Sequence, residues 1–255
     1  MAANQTVRRP KLHVGSYSIN GFHLRNPYVI AWWSLVYPGF GHLALGSITK
    51  GVFLFLGELV INYMAHVNLA ILYSFTGQCQ MARSVLDTQW LFLYVGILVF
   101  SIYDSYRLAV EFNKLSVLAD REYARITPMT LTATSINALV KRQPWVSAAW
   151  SVVLPGSGQL MLGENIRAIF LMVVAGGIIV QSHALQAIGL TFTGEFALAK
   201  AIIDWQWFLN IPSFYSFAIW QAYVATVEIN KLFEIEQAQH LKSQFQSSNF
   251  PMPFN

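Results

Sequence analysis

The chain has 255 residues, of which 55% are hydrophobic and only 11% are charged, and its mean hydropathy is +0.45. Soluble domains carry about a quarter charged residues, so this composition excludes a soluble globular protein and indicates an integral membrane protein. The formal net charge of +4 fits loops beside anionic lipid and requires no nucleic acid, while the single Cys79 excludes an intramolecular disulfide and a cysteine-rich metal site.

The two halves of the sequence resemble each other. A shift of 117 positions superposes residues 25–115 on residues 142–232 without a gap. We therefore predict an all-α membrane protein that arose by tandem duplication of one unit. The predicted segments are a polar basic N-terminal segment (1–24), a first membrane unit with a cytoplasmic helix extension (25–125), a linker (126–141), a second membrane unit with its own extension (142–242) and a disordered tail (243–255).

Each predicted unit contains three apolar stretches. They cover residues 28–45, 51–73 and 90–106 in the first unit and 145–162, 168–190 and 205–227 in the second. A helix needs about 20 residues to cross the hydrocarbon core, which the second and third stretches provide. Proline and glycine interrupt the first stretch, so we predict that it enters the membrane and turns back, or that it lies at the membrane surface.

The interruption in the first stretch is a PGxG turn. Proline removes a backbone donor and glycine loosens the chain, which permits a tight turn or a close approach between helices. We assign this structural role to Pro38, Gly39, Gly41 and Gly46 and to their counterparts Pro155, Gly156, Gly158 and Gly163.

The residues around each turn match a longer pattern, NPxxAxxxSxxxPGxGxxxxG. The first unit matches it at Asn26-Pro27, Ser34, Pro38-Gly39, Gly41 and Gly46, with Ala31 one position after the alanine of the pattern, and the second unit matches at Pro144, Ser151, Pro155-Gly156, Gly158 and Gly163, with Ala148 displaced in the same way. The pattern resembles that of bacterial multi-pass membrane proteins of unknown function and, distantly, the small two-transmembrane-helix domain family with its motif GxxGxHxFYxG. From that family the chain departs by lacking the aromatic pair after His42 and by having Gln159 at the second histidine position. The resemblance implies topology and a bacterial origin.

The positive charges distinguish two topologies. If the first stretch turns back, each unit crosses twice, and 14 of the 16 lysine and arginine residues lie on one side, with Arg83 and Lys200 opposite. If each unit crosses three times, giving six helices and inverted repeats, the same residues divide 8 to 8. Cytoplasmic loops are enriched in lysine and arginine. We therefore prefer two crossings per unit with both termini cytoplasmic, and six crossings are the alternative.

One polar stripe falls inside the second apolar stretch. Glu58, Asn62 and His66 follow one another at four-residue spacing, and His66 coincides with His183 in the second unit. An acidic group near the bilayer centre is costly and is a candidate for function. These four residues form the candidate intramembrane polar site. They either join helices by hydrogen bonds or hold a proton, a metal or a ligand.

The third stretch of each unit has a predicted start and a predicted extension. Asp87 and Asp204 each precede a tryptophan by three residues, which is typical of a helix N-cap. Residues 107–125 and 224–242 keep helical apolar spacing and predict amphipathic extensions. An ExNKL motif in each extension is either a docking site for a partner or a solvated helix face; its residues are Glu111, Asn113 and Lys114, and Glu228, Asn230 and Lys231.

The sequence predicts a non-enzymatic multi-pass protein of the bacterial cytoplasmic membrane. It contains no HExxH, GxSxG or P-loop pattern, and we expect no catalytic residue, cofactor or metal. The few charges inside the membrane argue against an ion path. We therefore favour a scaffold, an assembly factor or a subunit of a complex, in contact with the lipid bilayer and with other membrane proteins or itself. A small transporter or channel is the alternative, and a membrane-embedded enzyme is the third possibility.

Overall fold

A computed structural model describes residues 8–122, 124, 126–133 and 135–245. The structure is mostly helical, at 73%, as the sequence predicts. The expected disordered tail, residues 243–255, lies outside the described residues except for its first three residues, which belong to the last helix.

Helices and strands follow the same order in both halves of the chain. The first half contains β1 (Leu12–Val14), β2 (Ile19–Gly21), α1 (Pro27–Val36), α2 (Phe40–Ala44), α3 (Ile48–Ala65), α4 (Val67–Phe75), α5 (Cys79–Val85) and α6 (Thr88–Arg121). The second half contains β3 (Met129–Leu131), β4 (Ile136–Ala138), α7 (Pro144–Val153), α8 (Ser157–Met161), α9 (Asn165–Gln181), α10 (Ala184–Phe192), α11 (Phe196–Ile202), α12 (Trp205–Phe208) and α13 (Asn210–Phe245). Every element from β3 to α12 begins 117 residues after its counterpart.

Two β-hairpins are the main departure from an all-α fold. β1 pairs antiparallel with β2, with Leu12 opposite Gly21, and β3 pairs with β4 in the same register, with Met129 opposite Ala138. They lie in the predicted polar N-terminal segment and in the predicted linker, which are therefore structured in part. Strands of three residues are too short to produce a visible alternation of apolar and polar residues. Leu12, Val14 and Ile19 of the first hairpin and Leu139, directly after β4, belong to a small second core that includes Leu232 of α13.

The second apolar stretch of each half forms two helices instead of the one that the sequence predicted over 51–73 and 168–190. His66 separates α3 from α4, and Ser182 and His183 separate α9 from α10. Both histidines have a left-handed backbone with φ of 56°, which a right-handed helix does not accommodate. The axes of α9 and α10 differ by 58°.

Two helices, α3 and α6, are long and apolar enough to cross a membrane, and the bent pair α9–α10 is a third if it counts as one crossing. These helices are consistent with a multi-pass membrane protein. Among the described residues α13 does not meet the same test, although the sequence predicted a crossing over 205–227. Buried polar side chains occupy this region, including Gln206, Asn210 and Gln221.

The helices differ in whether their length is sufficient to cross a membrane. α1 has 10 residues, which is about 15 Å of helix and half of the roughly 30 Å hydrocarbon core. α6 has 34 residues, about 51 Å, which is longer than the roughly 30 Å hydrocarbon core. Asp87 caps the start of α6, and its carboxylate accepts hydrogen bonds from Gln89 N at 2.9 Å and Trp90 N at 3.2 Å. The predicted cap is confirmed, and residues 107–121 of the predicted extension are helical and continuous with the apolar part of α6.

Aromatic side chains from both halves form the main core. Phe40 of α2 stacks on Phe217 of α13 with ring centroids 4.1 Å apart. Phe55 of α3 packs against Phe214 of α13 and Phe170 of α9, at 5.7 and 5.4 Å. Burial of such large apolar surfaces stabilises the contact, so the two halves form one packed body.

Candidate functional site

The acidic residue that was expected inside the membrane is buried. Glu58 of α3 is 1% exposed and Asn62, one turn later, is 5% exposed. Asn62 Nδ2 donates to Glu58 Oε1 at 2.9 Å, because residues four apart share one face of a helix. The other oxygen, Oε2, lies near the Tyr37 hydroxyl. Both atoms are buried, and within the described residues neither makes a hydrogen bond of normal geometry.

Gln206 of α12 joins this polar group to the second half of the chain. Its Nε2 atom donates to Oδ1 and to the backbone oxygen of Asn62, both at 2.9 Å. Its Oε1 atom accepts from Leu69 N at 3.0 Å, and its backbone oxygen accepts from Asn68 Nδ2 at 2.8 Å. Because these groups surround the break between α3 and α4, the network holds that break against the start of α12. The sequence analysis did not identify Gln206 or Asn68.

The two histidines of the predicted polar site lie outside this network. His66 and His183 are exposed at the left-handed breaks. The His66 backbone N–H donates to the Asn62 backbone oxygen, but within the described residues neither histidine side chain is hydrogen-bonded to Glu58 or Asn62. The four-residue spacing predicted one continuous stripe, but the chain leaves the helix at His66. The structure therefore brings Glu58 and Asn62 together and separates the histidines from them.

A second polar cluster, which the sequence analysis missed, surrounds Asp104 of α6. His42 of α2 is fully buried, and its Nε2 atom lies 3.0 Å from Asp104 Oδ2. Lys50 Nζ donates to the same oxygen at 2.7 Å, and Arg107 donates to Oδ1 at 2.8 Å. Removing one partner from such a buried group is costly, because the remaining charges lose their pairing.

The equivalent position in the second half holds a neutral pair. Gln159 and Gln221, each 117 residues after His42 and Asp104, are joined by a hydrogen bond of 2.6 Å from Gln159 Nε2. Gln221 in turn donates to Glu164 Oε2 at 3.2 Å. Arg167, the counterpart of Lys50, forms its ion pair with Glu164. Each half thus joins its short second helix to its long last helix through a buried polar contact.

The PGxG segments form tight turns in both halves, in agreement with the structural role assigned to them. Gly39 and Gly156 begin α2 and α8 with φ of 96° and 104°, a conformation that favours glycine. A Cβ atom on Gly41 would clash with Ser34 Oγ of α1, and one on Gly158 would lie 2.9 Å from the Cβ of Ala222. The backbones therefore approach one another closely. Pro38 and Pro155 lie at the same two turns, whereas Gly46 and Gly163 lie in the turns after α2 and α8, with φ of 81° and 79°.

The asparagine of each ExNKL motif binds a backbone segment of its own half. Asn113 Oδ1 accepts from Arg25 N at 2.8 Å, and its Nδ2 atom donates to Arg25 O at 2.7 Å. Asn230 makes the same two contacts with Arg142, at 2.8 and 2.7 Å. The two asparagines therefore fix the residue that lies two positions before α1 or α7, and they are not free to dock a partner.

The charged residues of the two ExNKL motifs have different surroundings. Glu111 is half exposed and pairs with Arg107 at 2.9 Å, whereas Glu228 is largely buried and pairs with Arg25 of the first half. Lys114 and Lys231 are both exposed. Only part of each motif is therefore a solvated face.

An aromatic contact between the halves is formed at one of two equivalent places. Trp33 of α1, 9% exposed, packs on Phe217 and Trp220 of α13, with ring centroids 5.4 and 4.9 Å apart. The counterparts are Trp150 on α7 and Phe100 and Tyr103 on α6. They are 52%, 51% and 65% exposed. We call these two surfaces the open α7 face and the open α6 face.

Comparison of the chain with protein-family models, with curated proteins and with solved structures gave no match. The resemblance of the PGxG segments to known membrane proteins therefore stays a prediction. Within the described part of the chain, no group of three or more His, Cys, Asp or Glu side chains could hold a metal ion.

Proposed function

We propose that this protein is a non-enzymatic scaffold, assembly factor or complex subunit of the bacterial cytoplasmic membrane. In this proposal it arose by tandem duplication, and each unit crosses the membrane twice and carries a PGxG hairpin that turns back. Its partners are other membrane proteins or a second copy of itself. Both termini face the cytoplasm, because 14 of the 16 lysine and arginine residues then share that side.

The topology has support from helix length and from the order of elements. α1 and α7 have 10 residues each, about 15 Å, and α2 and α8 have 5 each. None of these four helices is long enough to cross the hydrocarbon core, which is roughly 30 Å thick. Units with two crossings each have the same orientation, whereas units with three crossings would be inverted.

The polar groups of the apolar helices favour internal packing over transport of a polar solute. Asp104 makes contacts with three basic side chains, and Gln159, Gln206 and Gln221 have partners within the chain. Groups that bind one another in this way stabilise helix contacts in lipid. They leave little to bind a passing ion.

The observation that carries the scaffold proposal is the pair of open faces. Trp33 is covered by Phe217, while Trp150 and Phe100 at the equivalent positions are about half exposed. When two similar units meet through unlike faces, each unit keeps the other of its two faces unused. A further unit or partner binds these unused faces by the same kind of contact. Tryptophan is also enriched among the residues that dominate protein interfaces. We infer that another membrane helix, from a partner or from a second copy, covers these faces.

The experiment is purification of the tagged protein in mild detergent, with identification of co-purifying proteins and measurement of its mass. The variant Trp150→Ala/Phe100→Ala should lose the associated protein or the second copy. The matched control is Leu56→Ala/Val173→Ala, because these two residues are also equivalent and exposed. It should retain the assembly. A wild-type monomer without partners, or equal losses in both variants, would refute the proposal.

The second candidate function is proton-coupled transport, which one observation favours. Glu58 Oε2 and the Tyr37 hydroxyl are buried without a hydrogen bond of normal geometry, and acidic groups inside membrane helices mark proton paths in pumps and transporters. Reconstituted protein tests this candidate. A pH gradient across sealed vesicles should then decay with wild type and persist with Glu58→Gln. Equal decay with both proteins eliminates this candidate.

A further inference from the structure

A cavity of about 550 Å³ lies between the two halves of the molecule. The N-terminal segment, α1 and α6 line it on the side of the first half, and α13 lines it on the side of the second. Its volume falls in the range of small-molecule sites, about 300–1,000 Å³. Leu24 and Val29 line it and are exposed, so the cavity communicates with the surroundings.

The wall of the cavity changes from apolar to basic along α13. Trp220, Val224 and Val227 belong to the apolar part, and Lys231 follows one turn later. Lys231 is 21 residues after Asn210, the first residue of α13, which corresponds to about 32 Å of helix. The hydrocarbon core is roughly 30 Å thick. In the proposed topology, in which α13 crosses the membrane, the apolar part of the wall lies at the level of the acyl chains and Lys231 at the level of the headgroups.

The basic part of the cavity has one cation in excess. Lys11 pairs with Asp120 at 2.8 Å, and Arg25 pairs with Glu228. Lys231 is exposed, and within the described residues no carboxylate forms an ion pair with it. Burial, followed by the charges of Arg25, Lys11 and Lys231, lowers the pKa of His23 to about 3. His23 is therefore neutral at pH 7 and adds no charge to this space.

We propose that this cavity binds one anionic phospholipid from the leaflet that faces the chain termini. The phosphate lies at Lys231, beside His23 and Arg25, and one acyl chain follows Val29, Trp220 and Val227. Basic pockets between membrane helices are suited to acidic headgroups, and an acyl chain gains free energy by filling an apolar groove. The proposal requires membrane insertion and is independent of the scaffold function.

Binding of phosphatidylglycerol and of phosphatidylcholine to the delipidated full-length protein tests the site by native mass spectrometry. We expect one tightly bound phosphatidylglycerol and weaker binding of phosphatidylcholine. Lys231→Gln should weaken the binding of phosphatidylglycerol by about fivefold, because one lysine beside anionic lipid changes the affinity by about that factor. Lys114→Gln is the matched control, because Lys114 is the equivalent exposed lysine and does not line the cavity. It should leave the affinity unchanged.

A second variant tests the acyl chain. Val227→Trp should fill the groove and displace phosphatidylglycerol, whereas Val110→Trp at the equivalent position of α6 should not. Unchanged melting temperatures show that the variants are folded. Inorganic phosphate at millimolar concentration should not compete, because it lacks an acyl chain. Equal effects of Lys231→Gln and Lys114→Gln, no preference for the anionic lipid, or full binding by Val227→Trp would each overturn the proposal.

Discussion

The Nε2 atom of His42 lies 3.0 Å from Oδ2 of Asp104 and joins the short helix after the PGxG turn to the long helix α6. Lys50 and Arg107 donate to the same carboxylate. In the second half, the neutral amides of Gln159 and Gln221 make the equivalent contact. One junction thus depends on charge and the other on amide hydrogen bonds, so the contribution of charge can be measured by exchanging the two pairs.

Asp104→Gln alone should destabilise the protein by about 1–3 kcal/mol, because the fully buried His42 ring loses the carboxylate that its Nε2 atom contacts. The double variant His42→Gln/Asp104→Gln should recover a large part of this loss, since it reproduces the amide pair of the second half. Lys50 and Arg107 remain hydrated in both variants, because their side chains are 42% and 47% exposed. Unfolding in detergent measures both effects. A double variant less stable than Asp104→Gln would contradict the equivalence of the two junctions.

Gly158→Ala should destabilise the protein by roughly 1–3 kcal/mol, because the added methyl group overpacks the contacts of α8 with α7 and with α13. The Cβ atom would meet Ala222 at 2.9 Å as well as the Ser147 backbone. Gly177→Ala is the control, since a Cβ atom there meets nothing within 4 Å. It should be neutral or stabilise α9 by up to about 1 kcal/mol, the difference in helix propensity. The account fails if thermal unfolding gives the two variants equal stability.

Asn113→Ala should cost about 2 kcal/mol, since it removes two hydrogen bonds worth about 1 kcal/mol each. The lost bonds hold the backbone of Arg25 before α1. Lys114→Ala, one residue later and exposed, should be within about 0.5 kcal/mol of wild type. A protease that cleaves near residue 25 should also cut Asn113→Ala faster. Equal cleavage of Asn113→Ala and wild type would show that the asparagine does not hold this segment.

Gln206→Ala should destabilise the protein more than Gln89→Ala, its counterpart 117 residues earlier. Gln206 makes hydrogen bonds to Asn62 and Leu69 in the buried network, while Gln89 is exposed. Glu58→Gln should be mild, because an amide oxygen still accepts from Asn62 Nδ2; such bonds within bilayers average about 0.6 kcal/mol. Melting temperatures in detergent rank the three variants. A larger loss of stability in Glu58→Gln than in Gln206→Ala would show that the Glu58 carboxylate, and not Gln206, contributes most to the network.

The sequence predicted the features that depend on local chemistry. Asp87 and Asp204 cap helices, and the PGxG glycines have positive φ or tight contacts. These features follow from composition, spacing and backbone preferences of a few neighbouring residues. That is why they are visible without the structure.

Other features depend on contacts between residues that are distant in the chain. Asp104 lies 62 residues after His42, and Gln206 lies 144 residues after Asn62, so neither pairing leaves a local signal. The break at His66 was missed because the apolar composition continues through it, and a left-handed histidine has no sequence signature. The open α7 and α6 faces also required the structure, because the halves are alike in sequence and differ in what covers them.

The orientation of the two halves is the central claim, because both the shared cytoplasmic side and the preference for a scaffold over inverted transporter repeats depend on it. In a Cys79→Ser background, single cysteines at Ser84, Lys114 and Lys242 provide exposed sites for a membrane-impermeant thiol reagent. In intact cells Ser84→Cys should be labelled, and Lys114→Cys and Lys242→Cys should be labelled only after the membrane is permeabilised. If one of Lys114→Cys and Lys242→Cys is labelled in intact cells and the other is not, each half crosses the membrane three times and the two halves are inverted. That result would contradict the account.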